Sequence, residues 1–498
     1  MESVFLDSAQ VHPTILVRAG IAQLVERNLA KVEVGSSSLL SRSNTMKKSA
    51  ARFFLACVLA CGVIAPTWVM AQEITARSFE HLYSGVGPQN FLGRSIQQTS
   101  DGGYIIAGVN VTTALNAQVI KLDASGAMAW QKVYKVAGQS SDGYLAQQTS
   151  SGYIVVAVLD ASNPYVMVVM SLDPDGALLW TASYPTGGAI GALPSTIEQT
   201  ADGGYLLGAT NYDLYDGVGP PLWALKLDTA GNIVWQNAYH LLPGSIHATS
   251  DGGFIAAGYS LCEPTCMPQI VKLDSGGGVT WQYQYELGAN ASASSARQTS
   301  DGGYLIGGGY AISVGSNNAW LMKLGADGNV QWQHGYSIGS CPEGFGAYDA
   351  QTAADGGYYM MMGSACSGGI IAKLAADGAV RWVDAPAIAS GTLVMLVDWF
   401  APTSDGGFVS TGSVGSLAVP PRLMALKAEP EGGVRSCSTI TMAGPQLTEV
   451  TPPTMQIAAL RIGVEATSSL PAALTIAAEP SQLTQSNGCT ASAAGIHR

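Results

Sequence analysis

The sequence predicts an all-β fold: a seven-bladed β-propeller of four-stranded blades, closed by an N-terminal strand that completes the last blade. Three observations predict it. A motif typified by Gln298-Thr299-Ser300-Asp301-Gly302-Gly303-Tyr304 recurs seven times, with its aromatic at Tyr104, Tyr153, Tyr205, Phe254, Tyr304, Tyr358 and Phe408, in steps of 49 to 54 residues. Each copy is followed by a second motif, Lys323-Leu324-Gly325-Ala326-Asp327-Gly328 in the fifth unit, and in six units by a Trp four residues after its last Gly: Trp130, Trp180, Trp235, Trp281, Trp332 and Trp382. The seventh unit has Ser436 where that Trp belongs. Ahead of the first unit, Arg77 to Gly85 reads as a fourth strand with no first three. If that segment completes the last blade, the ring is closed.

Within a unit each element has its reason. Strand a is the short segment before the turn, Ser95 to Thr99 in unit one. Asp101-Gly102-Gly103 then reverses the chain, glycine supplying the positive φ of a tight hairpin turn. Strand b is the unalternating apolar run Tyr104-Ile105-Ile106-Ala107-Gly108, the pattern of a strand buried on both faces. Strand c, Gln118 to Leu122, ends in a second tight turn, Asp123-Ala124-Ser125-Gly126, and strand d runs from Met128 to Tyr134. A β-sandwich also has short strands and regular turns, but it gives no reason for a fixed period of this length.

The chain around the repeats divides into four parts. Residues 1–45 are read as an extension that is disordered or not part of the natural product, because Gly20 to Ser43 resembles the conceptual translation of a tRNA gene. Residues 46–71 are read as a signal peptide: basic Met46 to Arg52, apolar Phe53 to Pro66, and a small-residue site at Val69-Met70-Ala71. A lipobox-like Val58-Leu59-Ala60-Cys61 leaves lipid anchoring at Cys61 as the alternative. Residues 72–437 are the propeller, and 438–498 are a small Thr-, Ala- and Pro-rich C-terminal segment with some β character. No apolar run later in the chain is long enough for a membrane span.

Composition narrows the partners. The chain is 47% hydrophobic, 12% charged and carries 60 Gly, with net charge −12. Removing residues 1–71 takes away seven Lys or Arg and four Asp or Glu, which leaves 16 basic and 31 acidic residues, net −15. This balance argues against nucleic acid and anionic membranes as partners. Six cysteines remain after the signal segment, an even number that suits disulfides in an exported protein. Loop topology suggests the pairs Cys262–Cys266, Cys341–Cys366 and Cys437–Cys489. A zinc site at Cys262 and Cys266 lacks further ligands nearby.

The Asp-Gly-Gly-Tyr/Phe and Lys-Leu-Asp-x-x-Gly-x-x-x-Trp pair resembles a repeat of secreted bacterial β-propeller proteins, over about residues 79–436. Its second half is similar to the PQQ-type propeller repeat, where the Trp docks on the next blade, and its first half is loosely like the Asp-box turn of sialidase-type propellers. Unit two departs from the pattern with Ser151-Gly152-Tyr153. The resemblance implies fold and leaves function open.

Chemistry is sparse. The turn aspartates read as turn-makers, since calcium wants six to eight oxygens. The six periodic Trp read as wedges between blades; Trp223, Trp320 and Trp399 stand outside that position. The long loop Asn211 to Pro221 offers Tyr212, Asp213, Tyr215 and Asp216 for ligand contact. Four residues before the turn's Asp, consecutive units carry Glu198, His247 and Arg297, an acid, a base and a cation that the innermost strands bring to the central channel; they pair with each other there, or they form a polar site. No nucleophile motif, metal motif or phosphate loop is present. The expectation is an exported, monomeric, non-catalytic scaffold without cofactor or metal, presenting variable loops to a protein or glycan. The alternative is a hydrolase or quinoprotein-like enzyme using the channel mouth.

Overall fold

Each repeat folds into the four-stranded antiparallel sheet that its pattern calls for. In the computed structural model the described residues are 78–433, except loop segments 86–89, 112–114, 137–138, 160–165, 186–191, 212–221, 261–264, 288, 312–316, 339–344, 365–367, 385–386, 389–393 and 416–421, together with six short strands between 440 and 487. Blade one comprises strands Asn90–Gln98, Tyr104–Val111, Leu115–Leu122 and Met128–Val136. Strand a thus starts five residues before the Ser95 to Thr99 segment read from the sequence. Its residues alternate in burial, and a bulge opens between Gly93 and Ser95. Strands b and c are buried almost throughout, because they are covered by the sheets on either side.

Ring closure runs through the N-terminal strand. Phe79–Gly85 pairs antiparallel with Arg422–Ala428, strand c of blade seven, with Phe79 opposite Lys427. Phe79 stands at the Trp position of the other blades and Tyr83 at the position four residues later.

Those two positions form a latch between neighbouring blades. The ring four residues after Phe79 and after five of the six Trp is a buried Tyr whose hydroxyl donates to a turn carbonyl of the next blade. Tyr83, Tyr134, Tyr239, Tyr285 and Tyr336 donate to Gly126, Gly176, Gly277, Gly328 and Gly378 at 2.7–2.8 Å. Tyr184 does the same to Gly231. The Trp beside it lies edge-on or tilted against the next blade's anchor aromatic, Trp235 against Phe254 at 5.5 Å for example, and Phe79 against Tyr104 at 5.5 Å closes the series. The turn Gly is required twice over: Gly231 has φ +83°, and a Cβ there would come within 2.7 Å of the Trp180 ring. Blade six lacks the Tyr and uses Asp384, which accepts from Gly433 N–H at 3.0 Å.

The first motif is explained by a second set of bonds. Lys226 in strand c is 5% exposed. Its ammonium is held by Asp202 at 2.8 Å and by the Leu227 carbonyl at 3.1 Å. The bonds from Lys226 and Thr200 keep the Asp202 carboxyl down at about 2. Blade two has lost both partners together, with Ser151 at the Asp position and Ser171 at the Lys position, as expected if a buried Lys needs its acid. The motif's Gln reaches the turn of the preceding blade: Gln148, Gln199 and Gln298 accept from Ser100, Ser150 and Ser250 N–H, and Gln98 accepts from Ser404 N–H at 2.7 Å across the closure.

The C-terminal segment is β-rich, and its strands lie along the outer edges of blades. Leu447–Val450 pairs with strand d of blade five, Gln456–Ala459 with that of blade four, and Val464–Ala466 with that of blade three. Ile476–Pro480 pairs with strand d of blade one, and Leu483–Asn487 with the N-terminal strand of blade seven. Ile440–Thr441 pairs with Ala387–Ile388 after blade six. The segment therefore passes backwards round the ring as a belt, covering edges that would otherwise present unpaired backbone groups. No helix of the described residues is long and apolar enough to cross a membrane.

Candidate functional site

The innermost strands of the blades line a central channel with a volume of about 100 Å³, bounded by residues including Gln97, Gln147, Glu198, His247, Arg297 and Gln351. These share one repeat position, and their chemistry there is largely structural. Gln97 Oε1 accepts from Gln148 N–H at 3.2 Å, Gln147 Oε1 from Gln199 N–H at 2.9 Å, and Glu198 Oε2 from Ala248 N–H at 2.9 Å. Each side chain thus ties its own strand to the backbone of the next.

The structure does bring Glu198, His247 and Arg297 together. His247 Nδ1 is 2.6 Å from Glu198 Oε1. A carboxylate only accepts, which places the proton on Nδ1. Arg297 Nη1 is 3.3 Å from His247 Nδ1 and 3.6 Å from Glu198 Oε1. Its other face meets a residue absent from the sequence-based triad: Nε lies 3.3 Å from Asp349 Oδ1 and Nη2 3.3 Å from Asp349 Oδ2. Asp349 is held in turn by Gln351 Nε2 at 2.7 Å. Burial alone would raise the Glu198 carboxyl, but His247 and Arg297 beside it, with the Ala248 N–H, hold it below its ordinary value. Burial works against the Arg297 charge, and Asp349 and Glu198 more than compensate. The four groups form a continuous polar chain of hydrogen bonds and ion pairs across blades three to six.

A second polar group sits where each strand a carries its bulge. The register shifts fall at Arg94, Tyr144, Ser195, Pro243–Gly244, Ser294, Tyr348 and Asp398, one per blade. Bulges re-aim side chains, and no side-chain pattern announces them. Between blades seven, one and two they gather Arg94, Asp142 and Asp398. Arg94 Nη2 donates to Asp142 Oδ2 at 2.9 Å, and its guanidinium lies 5.5 Å from the centre of the Tyr144 ring. Burial lifts the Asp398 carboxyl to about 6, against the pull of Arg94 and with the push of Asp142. A further cavity opens on the loop face between blades four, five and six.

Of the other sequence candidates, Tyr212, Asp213, Tyr215 and Asp216 lie outside the described residues, as do Cys262, Cys341, Cys366, Cys437 and Cys489. Cys266 is disulfide-bonded. Trp223 and Trp320 are buried, with Trp320 Nε1 donating to Gln333; Trp399 lines the channel. Among the described residues no group of three or more His, Cys, Asp or Glu is placed to hold a metal ion. The Tyr latch was periodic in the sequence, four residues after five of the six Trp, and was findable there.

No family model and no curated protein matches the chain. Among solved structures, a protein of unknown function from Bacteroides caccae aligns at 13% identity and TM-score 0.33, covering 52% of this chain and 94% of that one. One from Dyadobacter fermentans aligns at 10% and 0.38, covering 70% and 97%. Sqt1 from Chaetomium thermophilum aligns at 13% and 0.40, covering 72% and 88%. Alignments this loose carry no argument about function, and the fold rests on the strand pairings above.

Proposed function

We propose that the protein is an exported, non-catalytic seven-bladed propeller that presents its loop face to a protein or glycan ligand. The observation that carries this reading is the commitment of the channel's ionisable groups. Glu198, His247 and Arg297 are bonded to one another, to Asp349 and to the backbone of the next blade, which is the work of holding blades together. A base or acid for turnover needs a lone pair or proton directed at substrate. Export rests on the signal-like segment 46–71 and on the disulfide at Cys266, a bond of oxidising compartments. The pairs Cys262–Cys266, Cys341–Cys366 and Cys437–Cys489, and a monomeric state, belong to the same proposal.

A thermal-shift panel tests it, using Ca²⁺ against EDTA, PQQ, and oligosaccharides. A ligand at a hundred times its Kd stabilises by about 2.7 kcal/mol. Flat responses to Ca²⁺ and PQQ, with a shift from a loop-face ligand and no turnover of it, are expected. Stabilisation by PQQ together with dye-linked oxidation, or turnover abolished by His247→Asn, would replace this reading with the enzyme. N-terminal sequencing of the extracellular or periplasmic protein is expected to begin at Gln72.

A further inference from the structure

The cavity between blades four, five and six has a chemistry unlike the channel. Its walls are the end of strand b in blades four and five, Tyr259 and Gly309 to Ala311, and the start of strand a in blades five and six, Asn290 to Ser294 and Gly346 to Tyr348. These are the strand ends that meet at the b–c and d–a loops, the variable face of the propeller. It is open to solvent and has a volume of about 390 Å³, room for a small ligand. None of its described lining residues is charged. In a protein whose net charge is −12, a pocket of Tyr, Ser, Asn, Gly and Ala is a neutral island.

Tyr348 sets the cavity's character. It is the bulged residue of blade six and is 60% exposed, one of the few large side chains on the surface to be so. Its ring lies against the backbone of Gly363 on the adjoining strand. A Cβ at Gly363 would fall 1.9 Å from Tyr348 Cε2, so only glycine lets the ring lie there. An exposed ring resting on the backbone of the adjoining strand offers a ligand an apolar face and a polar tip. Around it stand hydrogen-bonding groups without charge. Ser292 and Ser294 line the cavity. Asn290 Oδ1 accepts from Cys266 N–H at 3.1 Å, which leaves its two Nδ2 donors outside that bond. Tyr310, 2% exposed, closes the base of the cavity with its hydroxyl toward Asn318.

The wall is also braced. The disulfide-bonded Cys266 donates its N–H to Asn290, and its carbonyl accepts from Ala291 N–H at 3.0 Å, so the loop of blade four is fastened to the first strand of blade five. A braced wall reduces the ordering cost of binding.

We infer that this cavity binds a neutral saccharide, one sugar ring stacking on Tyr348 and its hydroxyls bonding to Asn290, Ser292 and Ser294. A saccharide has the required combination of an apolar ring face with many hydroxyls and no charge. An anionic glycan or a nucleotide would find no cation among the described lining residues. The inference deepens the scaffold reading and rests on it, since it places the ligand on the loop face.

The test is a glycan array carrying neutral and anionic glycans, run with the purified protein beside a peptide array, followed by calorimetry with the free oligosaccharide retained. Neutral glycans are expected to be retained, with little loss between 50 mM and 500 mM salt. Tyr348→Ala is expected to weaken binding at least tenfold, about 1.4 kcal/mol, and Tyr348→Phe to keep most of it. Gly363→Ala, which displaces the ring, is expected to act like Tyr348→Ala while the protein's melting point shows that it is folded. Reduction of the Cys266 disulfide is expected to weaken binding severalfold. Retention of anionic glycans or peptides alone, or neutral-glycan binding indifferent to Tyr348→Ala, overturns the inference; in the peptide case the scaffold reading stands. Retention of nothing overturns the inference, and turnover of a bound glycan overturns the scaffold reading.

Discussion

Replacing Arg297 with Met tests whether the channel charges are a structural clamp. Met keeps much of the side-chain volume and removes the guanidinium. Asp349 is then left with the Gln351 amide at 2.7 Å as its remaining bond of this cluster, while Glu198 keeps His247 and the Ala248 N–H. Removing one partner of a buried ion pair costs about 3–5 kcal/mol. The side chains of Arg297 and Asp349 retain 22% and 12% exposure, so water relieves part of that, and about 3 kcal/mol is expected. Unfolding entropy near 2.1 cal/mol/K per residue, over roughly 360 residues, amounts to about 0.75 kcal/mol/K. The melting point measured by calorimetry should therefore fall by about 4 °C. Adding Asp349→Asn removes the stranded charge and should restore about half of the loss. A single-variant shift below about 1 °C, or a double variant that loses the sum of two independent penalties, refutes the clamp.

Three further outcomes follow from the same geometry. Asp398 has its carboxyl raised by burial to about 6; such a group holds full stability below its unfolded value of about 3.9 and loses it as pH climbs through the folded value. Asp398→Asn should thus stabilise by about 1–2 kcal/mol at pH 8 and by almost nothing at pH 4, read by urea unfolding, and an equal gain at both pH values would contradict the assignment. Tyr285→Phe removes the hydroxyl that caps the Gly328 carbonyl and should cost about 1–2 kcal/mol in the same assay, whereas an unchanged midpoint would mean the latch contributes nothing. Ending the chain at residue 437 uncovers the outer strands that the belt pairs, and should leave circular dichroism nearly unchanged while light scattering reports concentration-dependent association; a monodisperse truncated protein would show that the edges need no cover.

Much of the fold was legible because it is repeated. The anchor aromatics, the six Trp and the turn glycines recur at fixed spacing, and each recurrence reflects one inter-blade contact. The closing strand was legible because Arg77 to Gly85 reads as a fourth strand with no first three; the structure adds that its Phe79 and Tyr83 stand four residues apart, like Trp130 and Tyr134. The joint loss of Asp and Lys in blade two, through Ser151 and Ser171, was visible too, though its cause was not. Three things were illegible for physical reasons. The belt pairs through backbone groups in pieces such as Val464–Ala466, too short to impose a side-chain pattern. The bulges at Arg94, Tyr348 and Asp398 are features of register, which composition does not encode. The Tyr348 cavity draws on residues from different repeat positions, so no period marks it. Glu198, His247 and Arg297 were found by comparing one position across blades, but Asp349, two residues before Gln351, was missed because it belongs to another position of the repeat.

The central claim is that the channel is structure and the loop face is the binding surface. Hydrogen exchange read by mass spectrometry, with and without the glycan retained on the array, tests it most directly. Slower exchange is predicted in peptides covering Tyr259, Asn290 to Ser294 and Gly346 to Tyr348, with no change over Thr196 to Glu198 or Ile246 to His247. Protection confined to the channel peptides, with the loop-face peptides unaltered, would contradict it.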